Sequence, residues 1–205
     1  PIALFYLLGG ANAMNLLDGM NGLASGIAII ASIFFTILAI LNSQWQISII
    51  SVSLAGATLG FLFYNFPKGR VFMGDGGSLF LGFAMGAMAL LVTSEPYDLV
   101  RLLGPILILS LPIVDTTLTM ARRIVWRKAL FVGDRTHIYD ILLSRGISQT
   151  AVVLIICALA TFTGSSALLL NELPGAVSIA LTMGEILILM SIFWRATLLT
   201  RQVKG

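Results

Sequence analysis

Seven stretches of this chain are apolar for close to the length that a bilayer core demands, and this constrains the fold before any motif is read. They cover residues 1–17, 23–41, 47–64, 78–93, 99–120, 151–170 and 175–194. A membrane span needs about 20 apolar residues, so the run at 1–17 looks truncated and the one at 78–93 short. Composition agrees: 58% of the residues are hydrophobic and 10% charged, against about 45–50% and about 25% in a soluble domain. The expected fold is an all-α, polytopic transmembrane helical bundle of about six to seven spans. No internal repeat or low-complexity linker interrupts it, so residues 1–205 read as a single integral-membrane domain. Cys157 is the only cysteine and lies in an apolar run, which excludes disulfides and thiolate metal sites within one chain.

The cations set the expected orientation. If the loop carrying Lys68 and Arg70 faces the cytoplasm, so do residues 18–21, 122–145 and 195–204. Eleven of the 12 lysines and arginines then lie inside, and only Arg101 is outside. The opposite loops, 42–46, 94–98 and 171–174, hold Glu95, Asp98 and Glu172 and no cation. The net charge of +3 therefore belongs to loops beside spans and not to a nucleic-acid surface.

Three polar clusters fall on that one side. In the first, Asn12, Asn15 and Asp18 recur at i, i+3, i+6 and share one helical face. Polar groups ending an apolar helix must face a water-filled cavity or a partner. Gly19, Gly22 and Gly26 also admit a plainer reading as a helix-packing seam, although such a seam needs no carboxylate. An EF-hand is excluded, because the alternating oxygen ligands and terminal glutamate are missing. The second cluster, residues 65–78, reads as a short loop that sets Asp75 among Gly74, Gly76 and Gly77, with Asn65, Lys68 and Arg70 nearby. A lone carboxylate beside exposed backbone N–H groups and two cations suits a metal-bridged phosphate, while the plainer reading is a polar turn.

The third cluster begins inside a span at Leu111-Pro112-Ile113-Val114-Asp115-Thr116-Thr117. It continues through Arg122, Arg123, Arg127 and Lys128 to Asp134-Arg135-Thr136-His137-Ile138-Tyr139-Asp140. If that last segment is helical, Asp134, His137 and Asp140 share a face. Arginine and histidine beside a carboxylate site suit a nucleotide diphosphate, whereas a lone histidine on a loop is also a common surface residue. Glu185, in the middle of the last span, is expected to be hydrogen-bonded or protonated in a structural role.

Together the clusters resemble the polyprenyl-phosphate N-acetylhexosamine-1-phosphate transferase family, over about residues 12–146. Asn12-Ala13-Met14-Asn15-Leu16-Leu17-Asp18-Gly19 with Gly22-Leu23-Ala24 is similar to the family's Asn/Asp-Gly loop. Asn65-Phe66-Pro67 followed by Phe72-Met73-Gly74-Asp75-Gly76-Gly77-Ser78 is similar to its metal-binding loop. Pro112-Ile113-Val114-Asp115, Arg122-Arg123 and Asp134-Arg135-Thr136-His137 are similar to its last catalytic loop. The resemblance implies transfer of a sugar-1-phosphate from a UDP-N-acetylhexosamine to polyprenyl (undecaprenyl) phosphate, with release of UMP. It also implies a multi-pass protein of the bacterial inner membrane, with the active face cytoplasmic and room for a homodimer. The implied cofactor is Mg²⁺, with Mn²⁺ as the alternative, held by Asp75. Asp75, Asp18 and Asn15 would be catalytic. Asn12, Asn65, Lys68, Arg122, Arg123, Arg135 and His137 would bind substrate.

Two departures refine this expectation. The family carries an adjacent Asp-Asp pair upstream of the first motif, and no Asp-Asp occurs in these 205 residues. The chain is therefore expected to be the C-terminal part of a protein of roughly ten or eleven spans. In addition, Ile138-Tyr139-Asp140 follows His137 where the family often carries further histidines. That points away from the muramoyl-pentapeptide branch and towards enzymes that prime O-antigen, teichoic-acid or other envelope polysaccharides. A transporter or a non-catalytic membrane scaffold is the alternative class. A transporter would place polar groups near mid-bilayer and show a repeat between halves, whereas here the polar clusters fall at one membrane face and no repeat is visible.

Overall fold

The computed structural model describes residues 2–93, 99–127 and 137–204, and every regular element among them is helical. The chain is an all-α polytopic bundle, as expected. Helices α1 (Ile2–Leu17), α2 (Leu23–Leu41), α3 (Trp45–Asn65) and α4 (Gly74–Leu91) are followed by the short α5 (Leu103–Ile108) and by α6 (Ser110–Val125). A two-turn helix, α7 (Ile138–Ser144), then leads to α8 (Gln149–Leu169) and the 30-residue α9 (Gly175–Lys204). Five of these helices are long and apolar enough to cross a bilayer, or six if α5 and α6 form one bent span.

Burial ranks the helices. The most apolar window, in α2, is 67% buried, whereas that of α3 is 22% buried, so α2 is central and α3 lies at the rim. Buried residues of α1, α2, α4, α6, α8 and α9, from Met14 and Leu17 to Leu189 and Phe193, form one continuous apolar core. Lipid tails are as apolar as leucine, so close backbone approach has to replace hydrophobic drive between spans. It occurs where α1 crosses α4: a Cβ on Gly86 would stand 2.6 Å from the Tyr6 carbonyl oxygen, and one on Gly10 would stand 2.7 Å from that of Gly82. The small-residue seam is therefore at Gly10, Gly82 and Gly86. Gly22, for which a seam was the plainer reading, turns the chain between α1 and α2 with φ of +82°.

Two expectations are corrected here. The run at 99–120 is not one straight span: its two helical parts meet at 79° around Leu109. Pro112 explains the break, because it lacks an N–H and its ring clashes with the carbonyl four residues earlier, that of Ile108, the last residue of α5. The segment 65–78 is not all loop either. α4 begins at Gly74, so Asp75, Gly76, Gly77 and Ser78 form its first turn and only residues 66–73 are irregular. In α9, Glu185 is half-buried, and its Oε2 has no hydrogen-bond partner among the described residues. Asp98 and Glu95, assigned to the opposite loop, lie outside the described residues.

Candidate active site

The end of α1 and the start of α4 face each other because their glycine seam brings the two backbones together. Ser78, fully buried in the first turn of α4, donates its hydroxyl to Asn15 Oδ1 at 2.7 Å. That bond fixes Asn15 beside the turn that carries Asp75. Asp75 is exposed, at the positive end of the α4 dipole, where a carboxylate is favoured. Asp18 lies half-buried just past the end of α1. Burial pushes its carboxyl up to about 6, and the charge of Asp75 adds to the shift, so the two carboxylates act on each other.

Asn65 is buried and holds two loops in register. Its Oδ1 accepts the Gly22 N–H at 2.6 Å, and its Nδ2 donates to the Val71 carbonyl at 2.9 Å. The amide expected to bind substrate thus joins the α1–α2 turn to the segment before Asp75. Lys68 and Arg70 are exposed and line a cleft of about 300 Å³ with Phe63, Tyr64, Phe66 and Pro67, which Asp75 does not line.

The third cluster is built around a buried ion-pair geometry. Asp115, 2% exposed in α6, takes His137 Nδ1 on Oδ2 at 2.7 Å and accepts the Ile138 N–H on Oδ1 at 2.8 Å. His137 caps α7 and precedes its first residue, so it does not share a helical face with Asp140 as expected, and Asp134 lies outside the described residues. Instead, Asp140 Oδ2 accepts the His137 backbone N–H at 3.3 Å. A carboxylate on Nδ1 fixes the imidazole tautomer and orientation and leaves Nε2 as the nitrogen for a ligand. Tyr139 stacks on His137 with ring centroids 5.6 Å apart. Its hydroxyl abuts Gly19, next to Asp18. Burial first, then Asp140, Asp115 and Asp18, push the Tyr139 phenol well above its ordinary range. The first and third clusters, about 120 residues apart in sequence, therefore meet at Tyr139, and the second reaches them through the action of Asp75 on Asp18.

Sequence reasoning quoted Asp115 and Tyr139 but gave neither a role, and both prove central. The signal for Asp115 was a carboxylate inside an apolar span. Arg122 and Arg123, expected to bind substrate, are buried, at 1% and 8% exposure. Arg122 donates to Thr119 and Thr197, because a buried guanidinium must be hydrogen-bonded to be tolerated. Asn12 is exposed and opens into an apolar cleft of about 430 Å³ between α1, α4 and the α5–α6 break, walled by Tyr6, Met85, Leu109 and Ile113. Arg135, Asp134 and Lys128 lie outside the described residues.

No group of three or more His, Cys, Asp or Glu side chains forms a closed metal cage among the described residues. A pair of facing carboxylates, one of them exposed, fits a different mode. Mg²⁺ keeps several waters and binds through one or two carboxylates plus substrate phosphates. Asp75, with Asp18 beside it, meets that description.

Residues 1–93 match the family model described as glycosyl transferase family 4. The chain is 36% identical over 172 residues to a Bacillus subtilis protein named probable undecaprenyl-phosphate N-acetylglucosaminyl 1-phosphate transferase, covering 84% of this chain and 48% of that protein. It is 52% identical over 94 residues to the phospho-N-acetylmuramoyl-pentapeptide-transferase of Bacillus pumilus, which is 46% of this chain and 29% of the relative. The same-named protein of Acetivibrio thermocellus is 46% identical over 93 residues, 45% of this chain and 28% of the relative. The chain thus spans half or less of the length of these curated relatives.

Proposed function

Residues 1–93 belong to glycosyl transferase family 4, and from that premise we propose that the full-length protein transfers an N-acetylhexosamine-1-phosphate from a UDP-sugar to polyprenyl phosphate. An oxygen of the lipid phosphate attacks the β-phosphorus of the UDP-sugar. The bond from that phosphorus to the bridging oxygen breaks, and UMP leaves with the oxygen. The observation that carries this reading is that Tyr139 joins Asp18 to the Asp115–His137 pair, while Asp75 acts on Asp18 from the start of α4. Phosphoryl transfer asks the protein for positioning and charge compensation more than for covalent chemistry.

Each residue has a place in that scheme. Asp75, assisted by Asp18, would hold Mg²⁺ or Mn²⁺, which would supply positive charge to the diphosphate. Asn15 and Asn65 keep the two carboxylate-bearing segments in register through Ser78, Gly22 and Val71. His137, oriented by Asp115, presents Nε2 to the nucleotide-sugar. The apolar cleft that ends at Asn12 suits a polyprenyl chain whose phosphate reaches the carboxylate pair.

Two observations favour an N-acetylglucosamine-type donor over the muramoyl-pentapeptide. Similarity to the B. subtilis protein runs over 84% of the chain, while that to the two pentapeptide transferases covers 46% or less. A single histidine, His137, also stands in the last motif. The product would prime an envelope polysaccharide at the cytoplasmic face of a bacterial inner membrane. Purified full-length protein incubated with UDP-GlcNAc, undecaprenyl phosphate and Mg²⁺ provides the test. Mass spectrometry should find UMP and undecaprenyl-diphospho-GlcNAc in equal amounts. Absence of UMP with both UDP-GlcNAc and UDP-GalNAc would refute the proposal.

A further inference from the structure

We propose that Arg122 is a positioning residue and that the cytoplasm-side end of α9 is thereby part of the site. This inference deepens the reading of His137 as a donor contact and rests on it. Asp115, Thr119 and Arg122 stand at i, i+4 and i+7 on one face of α6. Arg122, 1% exposed, donates Nη2 to Thr119 Oγ1 at 2.8 Å and Nη1 to Thr197 Oγ1 of α9 at 2.9 Å. Thr119 Oγ1 in turn lies 3.5 Å from His137 Nδ1, the nitrogen that Asp115 holds. One buried fork therefore joins α9 to the His137–Asp115 pair through a single hydroxyl.

A second contact ties the same turn of α9 to the segment after α7. Arg145 Nη2 donates to the Ala196 carbonyl at 2.6 Å, one residue before Thr197. α9 is thus held to α6 by Arg122 and to the end of α7 by Arg145, and these two helices carry Asp115 and follow His137. Lysine cannot replace such a fork, since its ammonium is a point charge and a guanidinium reaches two acceptors in a fixed plane. Removing the Thr197 hydroxyl takes away the acceptor that holds the guanidinium to α9, so the guanidinium shifts and takes Thr119 with it. The effect reaches His137 although Thr197 touches no substrate.

The test compares Thr197→Val, which keeps the shape and removes the hydroxyl, with Thr197→Ser, which restores it, and with Arg122→Lys, all in the full-length protein. Donor and lipid acceptor are varied separately. Thr197→Val and Arg122→Lys are expected to raise the KM for UDP-GlcNAc about three- to tenfold, with the acceptor KM unchanged and with recovery in Thr197→Ser. A lower kcat with both KM values unmoved would mean only fewer folded molecules and would overturn the proposal. Reaction of His137 with diethyl pyrocarbonate, followed by peptide mass spectrometry on folded protein, gives a readout independent of turnover. It should be about threefold faster or more in Thr197→Val than in wild type or Thr197→Ser. Equal rates would likewise overturn the proposal. A wild-type protein that transfers no sugar phosphate would contradict the functional reading, and these rates would still decide whether Arg122 positions His137.

Discussion

Asp18 carries the most informative single charge, because its carboxyl is pushed up to about 6 by burial and then by Asp75. Unfolded, the same carboxyl titrates near 3.8. The folded protein therefore holds this proton more tightly, and folding stability from this group falls as pH rises from about 4 to about 6 and is level above. Asp18→Asn should therefore gain Tm relative to wild type across that window, and a Tm difference independent of pH would contradict this account. Transfer should follow the opposite sign, since the cation-binding form is the ionised one. With Mg²⁺ limiting, wild-type turnover should fall as pH drops through about 6, and added Mg²⁺ should move that fall to lower pH. His137→Ala is a second test at this scale. It should raise the donor KM or lower kcat, with a loss of about 1.5–3 kcal/mol in transition-state binding, or roughly tenfold to a hundredfold in kcat/KM. The acceptor KM should stay put. It should also lower Tm, because it leaves the Asp115 carboxylate buried without its imidazole partner.

At the scale of elements, the α1–α4 crossing sets how the two carboxylates meet. A Cβ at Gly86 would stand 2.6 Å from the Tyr6 carbonyl oxygen, which is backbone and cannot swing aside. Gly86→Ala should therefore cost about 1–3 kcal/mol and lower turnover as Asp18 moves against Asp75, measurable as a paired loss of Tm and rate. Much of this architecture was legible in the sequence. The runs at 23–41, 47–64 and 151–170 became α2, α3 and α8 with ends shifted by a few residues, since a 20-residue apolar run in a bilayer can satisfy its backbone only as a helix. The misses have local causes. Hydropathy averages over a window and so passes straight through Pro112, which breaks the run at Leu109. Gly74, Gly76 and Gly77 read as a loop, but all three lie in the start of α4, where Ser78 and Asn15 pin it. The clusters of Asn15, Asp18, Asp75 and His137 were visible as polar groups bordering spans. Asp115 and Tyr139 were not assigned, because their partners are 22 and about 120 residues away and only the fold brings them together.

For the whole molecule, the account requires the carboxylate pair, His137 and the donor to share one membrane face. With Cys157 and any other cysteine replaced, single cysteines at Lys68 and Ser144 should be shielded from an impermeant maleimide in intact cells, while one at Gln46 should label. Labelling at Lys68 from outside would place the site on the wrong side for a nucleotide-sugar. The central claim is that Asp75 is the cation-holding carboxylate of a sugar-1-phosphate transferase. Its most direct measurement is UMP formation by full-length wild type and Asp75→Asn, at saturating UDP-GlcNAc and undecaprenyl phosphate over a titration of Mg²⁺. The account predicts Mg²⁺-dependent turnover in wild type and a loss of about 10²-fold or more in the variant, which should insert in the membrane and fold normally. Near-equal rates in the two proteins at every Mg²⁺ concentration would contradict it.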